Sequence, residues 1–177
     1  MSLRLECLGG FAMTRDGAKV PLSARKPRLL AGLLAVARHR TMTRQRLAAL
    51  LWEDSDADQA RVSLRQALAQ IRRAGGEGWV EAEGEELRLG VDVSTDLDAF
   101  HAALARNDPA EAARLYRGSF LEGIDANASD LAQAIAELRA RFATLATEAL
   151  SRELDRLGDS AEAAALAHRL LGLDPLN

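Results

Sequence analysis

Cysteine is almost missing from this 177-residue chain. Cys7 stands alone, so neither an intrachain disulfide nor a cysteine-built metal site can form, and a reducing cytoplasm is the expected home. No apolar run approaches the roughly 18 to 20 residues of a membrane span. Met1 to Gly10 alternates instead of forming the apolar block of a signal peptide, which argues against secretion. Phosphate-cradling glycine loops are lacking too: there is no Walker-type loop and no Gly-x-Gly-x-x-Gly, and Gly75-Gly76-Glu77-Gly78 reads as a link. His39, His101 and His168 lack the spacing of metal ligands and read as surface or core histidines. Glu81, Glu83, Glu85 and Glu86 crowd one short segment where solvation is their expected role. No catalytic constellation results, so neither enzyme activity nor a cofactor or metal is expected.

Lysine is scarce as well, 21 of the 23 basic residues being arginine, and codon bias could account for that choice. It does not account for where the charge sits. Residues 1–75 carry 14 basic against 6 acidic side chains, whereas residues 76–177 carry 9 against 20. The overall charge of -3 therefore hides a basic module joined to an acidic one. Such a split fits a DNA-binding unit followed by a unit with another task.

Leu3, Leu5 and Cys7 alternate with charged residues, and Phe11 and Met13 alternate after the Gly9-Gly10 break, which predicts two short strands. Asp16-Gly17 signals a tight turn into a third, edge strand over Lys19–Leu22, where Pro21 limits pairing. Ser23 is the expected N-cap of a first helix reaching about Arg38, with Leu29, Leu30, Leu33, Leu34 and Ala37 inward and Pro27 in the first turn. A second helix starts within Thr41–Thr43, Thr43 being the better cap, and runs through Trp52. The acids from Asp54 to Asp58 favour the positive end of a third helix, from about Asp58 to Arg73. Its Ala60, Leu64, Ala67, Leu68 and Ile71 form one apolar stripe, leaving Arg61, Ser63, Arg65, Gln66, Gln70, Arg72 and Arg73 to the flanks and far side. Trp79–Ala82 and Glu86–Gly90 then bracket Glu83-Gly84-Glu85 as a hairpin.

A sheet, three helices with the third basic, and a hairpin follow the order of a winged helix-turn-helix. Leu8-Gly-Gly-Phe11, Leu22-Ser-Ala-Arg-Lys26, Leu47-Ala-Ala-Leu-Leu-Trp52, Ala60-Arg-Val-Ser-Leu-Arg-Gln-Ala-Leu68 and Ile71-Arg-Arg73 occur in that order. Together they resemble the OmpR/PhoB-type DNA-binding domain in the form found in SARP regulators, the Streptomyces antibiotic regulatory protein family. Glu53 departs from the family's usual proline, and Ala134 from its usual tryptophan. Beyond residue 95 the pattern is nearly all helical: Asp96–Ala105, Pro109–Tyr116, a break at Gly118–Gly123, Ser129 to about Leu157, and Asp159–Leu171. Leu97, Phe100 and Leu104 share a face of the first of these. Asp108-x-Ala-Glu-Ala-Ala and Asp159-x-Ala-Glu-Ala-Ala echo each other, and Leu173-Asp-Pro175 ends the last helix as tetratricopeptide-like pairs often end. This half resembles the bacterial transcriptional activation domain, which in the family continues for further helix pairs, so the chain reads as truncated.

The expected fold is therefore α+β: a winged helix-turn-helix with small antiparallel sheets over residues 1–95, then an all-α, tetratricopeptide-like domain over 96–177. The expected function is a sequence-specific DNA-binding regulator that activates transcription. Arg61, Ser63, Arg65, Gln66 and Gln70 are candidates for reading bases, since Arg pairs with guanine and Gln with adenine. Arg25, Lys26, Arg28, Arg44, Arg46, Arg72, Arg73 and Arg88 are candidates for phosphates. The resemblance implies double-stranded DNA and RNA polymerase as partners, with two copies in tandem on direct repeats about one helical turn apart. The alternatives are a protein-interaction adaptor and a regulatory fragment of a larger multidomain enzyme.

Overall fold

The computed structural model describes residues 2–126, 129–158 and 160–173. Strand β1 (Leu3–Glu6) buries Leu3 and Leu5 and points Arg4 outward, as its alternation requires. It pairs antiparallel with β2 (Ala12–Arg15), which turns at Asp16-Gly17 into β3 (Ala18–Lys19). Both turn residues have positive φ, the conformation that suits a two-residue hairpin. The edge strand is only two residues long and stops before Pro21.

Helix α1 spans Arg25–Val36, shorter at both ends than its sequence suggested. Ala24, not Ser23, is the N-cap, and its side chain makes no capping hydrogen bond. Pro27 explains the shift: a helix capped at Ser23 would need the residue-27 amide to donate to the Ser23 carbonyl, and proline has none, so the first such bond runs from the Arg28 amide to the Ala24 carbonyl. At the other end Ala37 turns extended, and a tight turn over Arg38–Arg40 with His39 and Arg40 at positive φ redirects the chain. Thr41–Thr43 is strand β4, so this segment does not open the second helix; Thr43 still caps α2 (Arg44–Leu51) by accepting from the Arg46 amide.

Helix α3 (Ala57–Gly75) starts at the N-cap Asp56, whose carboxylate accepts from the Gln59 amide at 2.8 Å. Strands β5 (Val80–Glu83) and β6 (Glu86–Leu89) form the expected hairpin, and β4 joins β6 to make a three-stranded wing sheet. Strand β7 (Val93–Thr95) then returns to the first sheet and lies parallel to β1, so the order is β3-β2-β1-β7 and that sheet is not purely antiparallel.

Among the described residues four helices follow: α4 (Asp96–Ala105), α5 (Pro109–Leu115), α6 (Ser129–Leu157) and α7 (Ala161–Leu173), with α6 packed against both α5 and α7. Leu97 and Phe100 are buried as their spacing predicts, but Ala103 completes the face and Leu104 is half-buried. Asp108 caps α5 through the Glu111 amide. Its echo Asp159 and the terminal Asp174-Pro175 lie outside the described residues, and Ser160 Oγ accepts from Ala163 at the start of α7. The Gly118–Gly123 break is a strap across the first sheet: Leu121 donates to the Cys7 carbonyl at 2.8 Å, and Gly9 donates to the Ser119 carbonyl at 3.1 Å. One apolar core consequently runs from Leu3 through α1 and α3 to Phe142 and Ala149 on α6.

Candidate nucleic-acid interface

The stripe read from sequence is the stripe that α3 buries: Ala60, Leu64, Ala67, Leu68 and Ile71 all lie in the core. At 100° per residue the opposite face centres on Val62, Gln66, Ala69 and Arg73, with Arg65 beside them. Arg61 and Arg72 run along one border of that face, and Ser63 and Gln70 along the other. All of these candidates are exposed except Ser63, which is half-buried.

Charge on this face is not equally free. Arg61 is paired with Asp58 one turn earlier, and Arg72 sits 3.4 Å from Glu77. Arg65 and Arg73 have no ion-pair or hydrogen-bond partner among the described residues, nor do the side chains of Gln66 and Gln70. Exposed surface pairs such as Arg61–Asp58 are weak, so they yield readily to a stronger anion.

The remaining candidates divide by what their side chains already hold. Lys26 donates to the Leu51 carbonyl at the end of α2 and lies 5.9 Å from the Trp52 ring centre. Burial, helped by the neighbouring Arg25 charge, pulls its pKa below the ordinary lysine value. Arg28 donates to the Leu22 carbonyl and packs over Phe11. Both tie α1 to its neighbours. Arg44 reaches the Gly84 carbonyl at 3.2 Å, while its amide donates to Glu85, so this residue fastens the tip of the wing to α2. Arg88 pairs with Glu81 directly across the β5–β6 ladder; their hydrogen bond raises the arginine pKa and lowers that of the glutamate. Arg25 and Arg46 are exposed without a partner among the described residues.

Between α2 and α3 lies an open groove of about 1010 Å³. Arg44, Arg61 and Arg65 line it, but so do Glu53, Asp58, Glu85 and Asp130. The groove therefore carries no excess of positive charge, and Gln66 and Arg73 face solvent beyond it. Two arginines that sequence reading did not single out, Arg139 and Arg169, have structural tasks. Arg139 of α6 holds the carbonyls of Phe120, Leu121 and Ile124 at 2.9 to 3.1 Å, and Arg169 of α7 holds those of Ala113 and Tyr116. Their partners are main-chain atoms brought close by tertiary structure, for which a sequence carries no signal.

Among the described residues no group of His, Cys, Asp and Glu is arranged to hold a metal ion, and no helix is long and apolar enough to cross a membrane.

With this geometry in hand, comparison with known proteins bears on the fold. No family model matches the chain, and no curated protein matches it. Among solved structures it is similar to Mycobacterium tuberculosis EmbR in complex with a low affinity phosphopeptide, at 25% identity and a TM-score of 0.60. The match covers 94% of this chain and 51% of that one, so the chain spans about half the length of the structure it resembles. The likeness supports a winged helix followed by a helical region as the class of this fold.

Proposed function

We propose that this protein is a transcription regulator that binds DNA sequence-specifically and activates, with α3 in the major groove. The observation that carries the reading is the exposed face of α3, where Arg65, Gln66, Gln70 and Arg73 project without partners among the described residues. Arg and Gln are the side chains that pair in two places with guanine and adenine edges. Arg61 and Ser63 flank the base-reading set. Arg25, Arg46, Arg72 and Arg73 supply phosphate contacts, and Arg88 does so from the wing. Arg44 braces the wing, and Lys26 and Arg28 hold the scaffold.

Residues 1–95 form the DNA-binding unit and residues 96–177 the activating one, acting in the cytoplasm. Two copies on direct repeats about 10–11 bp apart place successive α3 helices on the same side of the duplex. The acidic helical half suits a basic patch on RNA polymerase, and the likeness to EmbR is consistent with a regulator.

Arg65→Ala, measured by fluorescence anisotropy against a selected operator and a scrambled duplex, tests the reading. Loss of about 1–3 kcal/mol on the operator with little change on the scramble identifies a base contact. Equal loss on both identifies a phosphate contact, and unchanged affinity for both removes Arg65 from the interface. Titration over several salt concentrations should give a steeply falling log K, through release of counterions from neutralised phosphates. A flat salt response favours a protein-interaction adaptor.

A further inference from the structure

On the side of the molecule where α1 ends, the winged helix and the helical half line an open cleft of about 520 Å³ whose polar rim of His39, Asp98, His101 and Arg141 is exposed. That volume falls inside the range of roughly 300–1,000 Å³ typical of small-molecule sites, which favour domain junctions. Its apolar lining comes from both halves: Val36 of α1 and Leu138 of α6 are half-buried and present surface, with Leu97 of α4 and Phe142 of α6 almost wholly buried behind them. Its polar groups are His39, Arg40, Asp98, His101 and Arg141. His39 and His101, 62 residues apart in sequence, both line it.

Pairing decides what this cleft can accept. Asp98, the carboxylate in the lining, is already held by Arg40 and by the Thr95 hydroxyl. Arg40 in turn also donates to the Val93 carbonyl at 2.7 Å. This pair is internally satisfied. Arg141 has no partner among the described residues, and the side chains of His39 and His101 have no hydrogen-bond acceptor there either. Arg141 and burial both disfavour a charged His101, burial the more strongly. Two imidazole donors and one free guanidinium thus border the apolar surface of Val36 and Leu138, with the His101 ring itself resting on Phe142.

We propose that this junction cleft binds a small organic anion, its carboxylate or phosphate on Arg141, His101 and His39 and its apolar body against Val36 and Leu138. A bidentate guanidinium suits either head group. The position gives such a ligand leverage on the DNA-binding unit, a consequence that rests on the function proposed above. His39 and Arg40 both hold left-handed backbone conformations, and they lead directly into β4, the strand that pairs with β6 of the wing and precedes α2. A ligand that fixes the imidazole of His39 therefore fixes the root of the wing.

The test uses the full chain without DNA, so that its outcome does not depend on DNA binding. 2-Naphthoate and phenyl phosphate are titrated in while the imidazole and methyl signals of His39, His101, Val36 and Leu138 are followed by NMR. 2-Naphthamide and inorganic phosphate serve as controls for the charge and the apolar body. At least one organic anion should saturate and shift all four residues, and the stronger of the two identifies the head group. Arg141→Gln, at an exposed and unpartnered position, should weaken binding by about tenfold or more, and His101→Gln should weaken it by a smaller factor. Naphthamide should bind no better than the weaker variant binds naphthoate. Absence of saturation by both anions overturns the proposal, as do equal affinities for wild type and Arg141→Gln or for naphthoate and naphthamide. Inorganic phosphate binding as tightly as phenyl phosphate overturns the assignment of the apolar surface.

Discussion

Asp96 is the first residue of α4 and only 1% exposed, yet it is a carboxylate. Its two oxygens accept from the Cys7 amide at 2.9 Å, and Oδ2 also accepts from Leu8 at 2.8 Å, joining the first helix of the second half to the strap-bound end of β1. Asp96→Ala leaves two buried amides without an acceptor, at about 1–3 kcal/mol each, so a loss of about 2–6 kcal/mol is expected before the relief of burying a charge is subtracted. Asp96→Asn keeps one carbonyl oxygen for one of the amides and removes the charge, so its cost should be roughly half as large. The pH dependence has a definite sign. Burial raises the Asp96 pKa above the ordinary carboxylate value, against the opposing pull of the two amides and Arg117. The folded state then holds the proton more tightly than the unfolded state, so this residue's contribution is greatest below about pH 4 and is lost as pH rises through the raised pKa. The cost of Asp96→Asn should accordingly shrink from acid to neutral pH. Urea unfolding followed by circular dichroism, extrapolated to water at several pH values, measures all three quantities. An Asp96→Ala cost below about 1 kcal/mol, or one smaller than that of Asp96→Asn at neutral pH, would refute the argument that the carboxylate serves the amides.

Asp56→Ala removes the α3 cap and should cost about 0.5–2 kcal/mol in thermal or urea unfolding, with operator affinity reduced only in proportion to unfolding. Leu64→Ala, in the buried stripe of the same helix, should cost about 2–5 kcal/mol, whereas Gln66→Ala on the exposed face should stay within about 0.5 kcal/mol in the same assay. Gly75→Ala would place a Cβ 2.4 Å from the buried indole nitrogen of Trp79, which donates to the Gly75 carbonyl. A loss of about 1–3 kcal/mol and a changed Trp79 emission spectrum are expected, and an unchanged spectrum would mean that the indole has not had to move.

How much of this was legible in sequence depended on how local the cause was. The α3 stripe and the long helix Ser129–Leu157 were readable because one period repeats over many residues. The hairpin was readable because Gly84 sits between two alternating segments, and in the structure it takes positive φ. Strand β4 was not, since three residues, Thr-Met-Thr, are too few to show a period and their partner β6 lies more than forty positions away. The parallel pairing of Leu3 with Val93 is equally non-local. The candidate interface shows the same division. Which arginines leave the core face of α3 follows from the period alone, but whether a basic side chain is free follows from atoms supplied by the fold. Lys26 and Arg28 looked like Arg25 and Arg46 until the carbonyls of Leu51 and Leu22 came within reach.

The continuity of the core changes how the two halves are to be thought of. Asp96 holds Cys7 and Leu8, Phe120 bridges to Leu8 and Gly10, and Arg139 of α6 holds the strap that carries Phe120. Gly32 of α1 lies so close to Leu121 that an added Cβ would approach its side chain to 2.7 Å. Removing residues 97–177 would therefore strip the covering from β1 and α1 as well as deleting a surface. Loss of DNA binding in such a fragment would report exposed leucines, not a role of the helical half in reading bases. The activating role proposed for the helical half is therefore tested by exposed point substitutions on α6 and α7 in the whole chain. The same continuity lets a change in the helical half reach the wing. The tie is specific: Arg40 of the Arg38–Arg40 turn holds Asp98 of α4 and the Val93 carbonyl, and the same turn leads into β4.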